Sequence, residues 1–298
     1  MIISGHTHQP YVCDVPDPSG QQRLVTSASS FGRLFTETNL TFDRRTQDIV
    51  RASVKGNNMI VSRDVAAAAD ETSIIKPYST LIAPIANKVL GTISQDLIGY
   101  KVATRESTLG DLIADAQVND PSVITGGKTP VVAFMNPGGI RDDLRYGPTP
   151  VLETGNGIVR YEEAFNVQPF NNYLVSMDMT GADIWSLLRQ QWIGSNSGSN
   201  TKFLQVSAGL HYTVKGAGTT RTISALTING TAVPNDATVY RIVTNNFLAD
   251  GGDNFAAFKN GTPRYFGGLD IDGFAAYMSK FTETQPYAPL PLDRIILM

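Results

Sequence analysis

Residues 239–255 read VYRIVTNNFLADGGDNF, a β-branched run that leads into a glycine-rich turn. The opening of this stretch predicts a strand, and the paired glycines predict where it ends. Asp253 follows those glycines, where a carboxylate beside bare backbone can accept two hydroxyl hydrogen bonds from a sugar diol. An aspartate that only caps the turn would produce the same pattern, so this stretch alone supports both interpretations equally.

The segments around this stretch mix strands and helices without a regular strand–helix–strand repeat. Strands are predicted within PVVAFM (130–135) and NYLVSMDM (172–179), and an Asn-Gly hairpin turn lies within ISALTINGTAVP (223–234). Capped helices are predicted for STLGDLIADAQV (107–118) and for TGADIWSLL (180–188). This order predicts an α+β fold with mixed sheets flanked by helices.

Three segments are predicted along the chain. Residues 1–62 contain short β-type runs broken by turn residues. Residues 63–98 are predicted to form a connecting helix, because apolar residues from Ile74 to Val89 recur at helical spacing. Residues 99–298 form the larger domain.

Composition excludes several classes of protein. The chain of 298 residues has 24 Lys and Arg against 27 Asp and Glu, and this balance argues against an extended nucleic-acid surface. The longest apolar runs are too short for a transmembrane helix. Cys13 is the only cysteine, which excludes an internal disulfide and a cysteine-based zinc cluster.

Three further stretches carry candidate binding residues. In NPGGIR (136–141) the glycines would let backbone N–H groups approach a ligand beside Arg141, although such a turn is more often only a turn. In QPFNN (168–172) Phe170 is either a lid over the core or a ring that stacks on a base. In RESTLGD (105–111) Arg105 precedes a helix N-terminus, where it favours anions or forms a surface ion pair.

Together these stretches resemble the C-terminal domain of the 5′-nucleotidase family of metal-dependent nucleotide phosphohydrolases. The motifs RESTLGDLIADA, NPGGIRDDL, QPFNNYL, TGADIWSLL and FLADGGDNF occur in the order of the family and cover roughly residues 65–298. Two positions depart from the family pattern: Pro137 stands where many members have glycine, and Asn171 replaces a glycine in the Pro-Phe-Gly-Asn motif.

The resemblance implies a role for each candidate residue. Phe170 and Phe247 would stack on the two faces of a nucleobase, Asn172 would contact its edge, and Asp253 would take the ribose hydroxyls. The polar wall toward the ribose and phosphates would consist of Arg105, Asn136, Gly139 and Arg141.

The stretch GHTH (5–8) resembles the last metal-binding motif of the family's metallophosphoesterase domain. The resemblance implies that His6 and His8 are ligands of a centre with two divalent ions, such as zinc, manganese or cobalt. No histidine precedes His6, so the earlier motifs of such a domain are absent from this sequence. We therefore expect residues 1–62 to be the end of a catalytic domain whose remainder lies in a longer protein, and we expect this chain alone to be inactive.

The sequence thus predicts the nucleoside-binding part of a nucleotide phosphohydrolase that acts on small molecules rather than on nucleic acid polymers. A non-catalytic nucleoside-binding module is the alternative, and within the enzyme class a 2′,3′-cyclic nucleotide phosphodiesterase/3′-nucleotidase or a UDP-sugar hydrolase fits equally. The resemblance implies a secreted, periplasmic or cell-wall location, although the first residues show no signal-peptide pattern. His211 has no partner motif and is interpreted as structural.

Overall fold

The computed structural model describes residues 1–147 and 156–298, which form two compact units, residues 1–78 and 79–298. The strands of unit 1 are β1 (Ile2–Ile3), β2 (Pro10–Pro16), β3 (Gln22–Ala28), β4 (Leu34–Asn39), β5 (Phe42–Asp43), β6 (Asp48–Ile49) and β7 (Lys55–Ile60). They form a three-stranded sheet in the order β1-β3-β2 and the two pairs β4-β7 and β5-β6. This confirms the β-rich character predicted for the first 62 residues.

Unit 2 has sixteen further elements among the described residues, and the helix α1 (Ala69–Ala86) spans the boundary between the units. In chain order they are β8 (Val89–Thr92), α2 (Thr108–Val118), β9 (Val132–Met135), β10 (Ile158–Arg160), α3 (Tyr161–Val167), β11 (Tyr173–Thr180), α4 (Gly181–Arg189), β12 (Gln205–Val206), β13 (Leu210–Lys215), β14 (Thr222–Ile228), β15 (Thr231–Ala232), β16 (Val239–Asn245), α5 (Asn246–Ala249), β17 (Arg264–Leu269), α6 (Asp270–Met278) and β18 (Ile295–Leu297).

The sheets of unit 2 are mixed, which confirms the α+β class. The largest has the strand order β12-β9-β16-β11-β17, with β16 parallel to β9 and antiparallel to β11. A second sheet has the order β15-β14-β13-β18, and β10 pairs with β8. Helix α4 packs on one side of a core that contains Trp192 and Phe258, and α2 and α6 share a second core.

The structure confirms the predicted helix caps and the predicted hairpin turn. Ser107 caps α2 by accepting the N–H of Gly110 at 3.1 Å, and Thr180 and Asp183 form the predicted capping box of α4. The hairpin turn at Asn229 and Gly230 has positive φ at both residues, as a type I′ turn requires.

The connecting helix is shorter than the predicted segment 63–98. Helix α1 ends at Ala86, and Val89, which continues the helical spacing, instead opens β8 and pairs with Arg160 of β10. A β-branched residue is easily accommodated in a strand, and the partner strand lies too far along the chain for spacing to reveal it. None of the helices in the described ranges is long and apolar enough to cross a membrane.

Candidate functional site

Most of the candidate binding residues lie at one end of the strands of the five-stranded sheet. Strands β9 and β16 are parallel, so their carboxyl ends lie together and are followed by Asn136 and the segment after Asn245. Strand β11 is antiparallel to β16, and Leu174 near its start pairs with Asn245 at the end of β16. The QPFNN loop, which precedes β11, therefore lies at the same end of the sheet. Loops outside the carboxyl ends of strands are common binding positions in such sheets.

Asp253 is held by donors from two other loops. Its Oδ2 accepts the side-chain amide of Asn136 at 3.0 Å, and its Oδ1 forms an ion pair of 2.6 Å with the ammonium of Lys202. Its backbone carbonyl accepts the side-chain amide of Asn196 at 2.8 Å. The residue has a left-handed backbone, with φ 54° and ψ 24°, which aspartate tolerates better than most residues do. The turn therefore presents a carboxylate of fixed orientation.

Phe247 lies on the short helix α5, against the turn that carries Asp253, and the residue is 44% exposed. Its ring covers Gly252, where an added Cβ would lie 2.5 Å from Phe247 Cε1. The glycine is therefore required for the ring to lie against the turn that carries Asp253. An exposed phenyl ring against the turn that carries a carboxylate suits a ligand with one flat apolar face and one hydroxylated part.

Phe170 is the second exposed aromatic residue at this end of the sheet, and it is 53% exposed. The guanidinium of Arg141 lies 5.5 Å from its ring centroid, a cation–π contact. Arg141 also donates to the carbonyl oxygen of Gly138 at 3.0 Å. Its guanidinium thus joins the NPGGIR turn to the QPFNN loop. Asn171 has φ 50°, a left-handed conformation that a glycine would also adopt, so the departure from the family motif is compatible with the same backbone.

The close packing of the NPGGIR turn explains the glycine at position 139. A Cβ on Gly139 would lie 2.5 Å from Met135 Cε, whereas at Gly138 it would meet Asp253 Oδ2 at 3.5 Å, an ordinary contact distance. Gly138 is exposed, so its backbone is open to a ligand beside the carboxylate.

Asn172 contacts a buried carboxyl group. Its side-chain amide donates to Asp270 Oδ2 at 3.2 Å, and the backbone N–H of Asp270 donates to the carbonyl oxygen of Asn172 at 2.8 Å. Burial raises the pKa of Asp270 to about 6, although the hydrogen bonds from Asn172 oppose the shift. The side-chain nitrogen of Asn172 is thus directed toward Asp270.

Comparisons with known proteins show the family of the chain. The family model described as "5′-nucleotidase, C-terminal domain" matches residues 89–260, more than half of the chain.

The chain belongs to the 5′-nucleotidase family.

Among its relatives, the cell wall protein Lmo0130 of Listeria monocytogenes is 33% identical over 87% of this chain and 32% of its own length. The endonuclease YhcR of Bacillus subtilis is 28% identical over 84% of this chain and 18% of its own length. The crystal structure of a 5′-nucleotidase precursor from Thermus thermophilus superposes with a TM-score of 0.68 at 26% identity, over all of this chain and 57% of that one. The chain therefore spans about a fifth to somewhat over half of the length of these relatives.

Arg105, which the 5′-nucleotidase resemblance placed in the site, forms no side-chain hydrogen bond or ion pair with the other candidate residues in the described ranges. Arg105 is exposed, and its backbone oxygen accepts the side-chain amide of Gln205 at 3.0 Å. Its neighbour Glu106 is buried and accepts the backbone N–H groups of Arg294 and Ile295 at 3.2 and 2.7 Å. Glu106 thus anchors the C-terminal strand β18, and Arg105 lies at the surface.

His6 and His8 lie in unit 1 and both have positive φ, 68° and 57°. The ring of His8 packs edge-on against Phe31 with centroids 5.4 Å apart. Within residues 1–147 and 156–298, no group of three His, Cys, Asp or Glu side chains comes together as a metal site. Two imidazoles without a bridging carboxylate are only part of the donor set that two adjacent divalent ions require, so the described residues do not complete such a centre.

Lys202, Asn196 and Asn245 are site residues that the sequence interpretation missed. Lys202 and Asp253 are 51 residues apart, and Asn136 and Asn245 are 109 residues apart. Each of the missed residues reaches the site through sheet pairing or a loop contact, so no local spacing could have indicated it. His211 is half-buried, and its Nε2 lies 3.8 Å from Asp293 Oδ1.

Proposed function

We propose that unit 2 binds the nucleoside part of a nucleotide and that the protein to which it belongs is a nucleotide phosphohydrolase of the 5′-nucleotidase type. The observation that carries the proposal is the Asp253 carboxylate, oriented by two donors beside an exposed phenyl ring. A carboxylate of fixed orientation can accept hydroxyl hydrogen bonds from a ribose, and a phenyl ring can stack on a base.

In this proposal Phe247 and Phe170 supply the stacking surfaces, and Asn172 offers its carbonyl oxygen to the base edge. Asn136 positions Asp253 and, with Gly139, lines the ribose side. Arg141 and Arg105 face the more anionic part of the ligand. Arg141 is already placed by its contacts with Gly138 and Phe170, whereas the exposed Arg105 would be ordered by the ligand.

For the hydrolytic step we propose only a partial contribution from this chain. His6 and His8 would each supply one imidazole to a centre with two divalent ions, such as zinc, manganese or cobalt, and the other ligands would come from outside the described residues. Such ions activate water and stabilise charge that develops on a phosphoryl group. A phosphodiesterase/3′-nucleotidase or a UDP-sugar hydrolase would use the same nucleoside contacts. We place the protein outside the cytoplasm, in line with its cell-wall relative.

A nucleoside-binding module without catalysis is the second candidate. It is favoured by the absence, among the described residues, of any group of three metal-type side chains. The nucleoside site does not discriminate between the two candidates, because both require it.

Calorimetric titration with adenosine, AMP and adenine tests the nucleoside site. Stacking contributes about 1–3 kcal/mol per base, and a hydrogen bond to a charged group about 1.5–3 kcal/mol. Since association costs roughly 4–15 kcal/mol, we expect adenosine to bind with a Kd of about 10 μM to 1 mM, and AMP to bind about as well.

Two variants locate the binding. Phe247→Ala is expected to weaken adenosine binding about tenfold or more, which corresponds to about 1.4 kcal/mol of lost stacking. Asp253→Asn is expected to weaken adenosine more than adenine. Phe266→Ala, which removes another exposed phenyl ring of the same sheet, is the matched control. Adenosine binding that survives Phe247→Ala unchanged would refute the stacking assignment.

A further inference from the structure

We infer that Lys202 is a positioning and specificity-determining residue, which makes the site selective for ligands with two neighbouring hydroxyl groups over ligands with one. This inference rests on the proposed nucleoside site and adds the chemistry by which it would recognise the sugar. Its basis is the ion pair of 2.6 Å between Lys202 Nζ and Asp253 Oδ1.

The two donors to the Asp253 carboxylate bind different oxygen atoms. Lys202 occupies a lone pair of Oδ1, and Asn136 occupies a lone pair of Oδ2 at 3.0 Å. A carboxylate has about four lone-pair positions, two on each oxygen. One acceptor position therefore remains on each oxygen, and both face away from the bound donors. This arrangement suits two hydroxyl groups on adjacent carbon atoms, each of which donates to a different oxygen.

The ion pair is held more firmly than an ordinary surface pair. The Lys202 N–H donates to the carbonyl oxygen of Gln191 at 3.0 Å, and the N–H of Phe203 donates to the carbonyl oxygen of Ala103 at 2.7 Å. On the other side, Asn196 holds the backbone oxygen of Asp253 at 2.8 Å. With both backbones fixed, the entropy that the ion pair costs is confined to the two side chains.

The ammonium also has capacity left for a ligand. Lysine carries three N–H donors, of which Asp253 takes one, and the Lys202 side chain is 29% exposed. A hydroxyl group that donates to Oδ1 of Asp253 can therefore accept from Lys202 at the same time. Removing that hydroxyl group would leave both a donor and an acceptor of the protein without their ligand partner, and such a loss discriminates strongly between otherwise similar ligands.

The test is a set of calorimetric titrations of the full chain with adenosine, 2′-deoxyadenosine, 3′-deoxyadenosine and adenine. The variants are Lys202→Met, which keeps the length of the stem and removes the charge, and Lys202→Arg, which keeps the charge. Lys259→Met is the matched control, because Lys259 is exposed and its stem packs against Gly251 of the same turn. Thermal unfolding of each variant verifies that it is folded.

We expect the wild type to prefer adenosine over either deoxynucleoside by about tenfold or more, the effect of one good hydrogen bond to a charged group. Lys202→Met should reduce this preference to about threefold or less and leave adenine binding within twofold of wild type. Lys202→Arg should retain most of the preference, and Lys259→Met all of it.

Two outcomes would overturn the inference. If Lys202→Met weakens adenosine and adenine by the same factor, or leaves the preference for adenosine intact, the ion pair only stabilises the turn. If the wild type binds neither adenosine nor adenine, the proposed nucleoside site itself is wrong and this inference falls with it. Binding of adenine separates the two kinds of failure, because adenine lacks the sugar that Lys202 is inferred to read.

Discussion

The side chains of Asn136 and Asn245 are joined by a hydrogen bond of 3.0 Å across the ends of two parallel strands. Asn136 in turn donates to Asp253, and the Asn245 side-chain oxygen accepts the N–H of Leu248 at 2.9 Å, which caps α5. Asn245, to which the proposal assigns no ligand contact, thus links the helix that carries Phe247 to the Asn136 amide that orients Asp253.

Asn245→Ala should therefore lower both stability and binding. Loss of a helix cap costs about 0.5–2 kcal/mol, and the Asn136 oxygen left without its donor costs about 1–3 kcal/mol. We expect the free energy of unfolding in urea to fall by about 2–4 kcal/mol and adenosine binding to weaken. Asn166→Ala, at an exposed position of α3, is the control. A fall of less than about 0.5 kcal/mol would contradict the support assigned to Asn245.

A buried acidic cluster predicts an unusual dependence of stability on pH. Burial, opposed by Arg294 and reinforced by Glu106, raises the pKa of Asp111 to about 9. Its Oδ1 is buried and has no hydrogen-bond partner in the described part of the chain, as fits a carboxyl group that is neutral. Because this pKa is raised above its unfolded value near 3.8, the contribution of Asp111 to stability is present at low pH and is lost as the pH rises toward 9.

Asp111→Asn removes this titration and keeps a neutral polar side chain of nearly the same size. We expect its free energy of unfolding, relative to wild type, to increase as the pH is raised from about 5 to about 9, by at least about 1.4 kcal/mol, the equivalent of one pKa unit. Urea unfolding at several pH values measures it. A stability difference that is constant over this range would contradict the raised pKa.

Asp115→Asn is the contrasting change in the same cluster. Arg294 binds the Asp115 carboxylate at two points, with nitrogen–oxygen distances of 3.0 and 2.8 Å, and both side chains are buried. Without the Asp115 charge, the buried guanidinium keeps only the carboxyl group of Asp111, whose Oδ2 lies 3.6 Å from Arg294 Nε and whose raised pKa leaves it neutral over most of the pH range. Loss of one partner of such a buried pair costs about 3–5 kcal/mol. We expect destabilisation at every pH where the protein is folded. If both substitutions change the free energy of unfolding by the same amount at each pH, the assignment of different protonation states to Asp111 and Asp115 is contradicted.

Unit 1 should exchange its backbone amide protons faster than unit 2. Of residues 1–62, only Leu24, Thr26 and Ser27 are buried, and few buried apolar contacts mean easy local opening. Hydrogen exchange followed by mass spectrometry should show less protection for β1–β7 than for β9, β11 and β16. Sedimentation at the same concentration controls for a second copy that covers the exposed strands. Equally slow exchange in a demonstrated monomer would contradict this expectation.

The purified chain should not hydrolyse AMP at an enzymatic rate. The reason is the number of ligands: His6 and His8 are two donors, and no third metal-type side chain joins them among the described residues. With manganese, cobalt or zinc present, we expect turnover below the usual range of about 1–10³ s⁻¹. The double variant His6→Ala/His8→Ala should behave like the wild type. Turnover within that range, abolished in the double variant, would show that this chain completes a metal site.

Local chemistry in the sequence determined much of the fold. The caps of α2 and α4 and the Asn229–Gly230 turn depend on hydrogen bonds and dihedral angles within a few residues, so their signals are fully present in a short stretch. The order of the short motifs, including the glycines of the Asp253 turn, was also sufficient to identify the family, because each motif preserves a backbone that only certain residues can adopt.

Only the tertiary structure decided which side chains act together. The pairing of Lys202 with Asp253 and of Asn136 with Asn245 follows from the strand order β12-β9-β16-β11. That order results from packing between segments that are distant in sequence, and the hydrophobic periodicity of the sequence does not indicate it. The same cause made Val89 a strand residue rather than a helical one, since its partner Arg160 lies on a strand far along the chain. Spacing reports the local conformation that a residue can adopt, whereas long-range pairing selects the one that it does adopt.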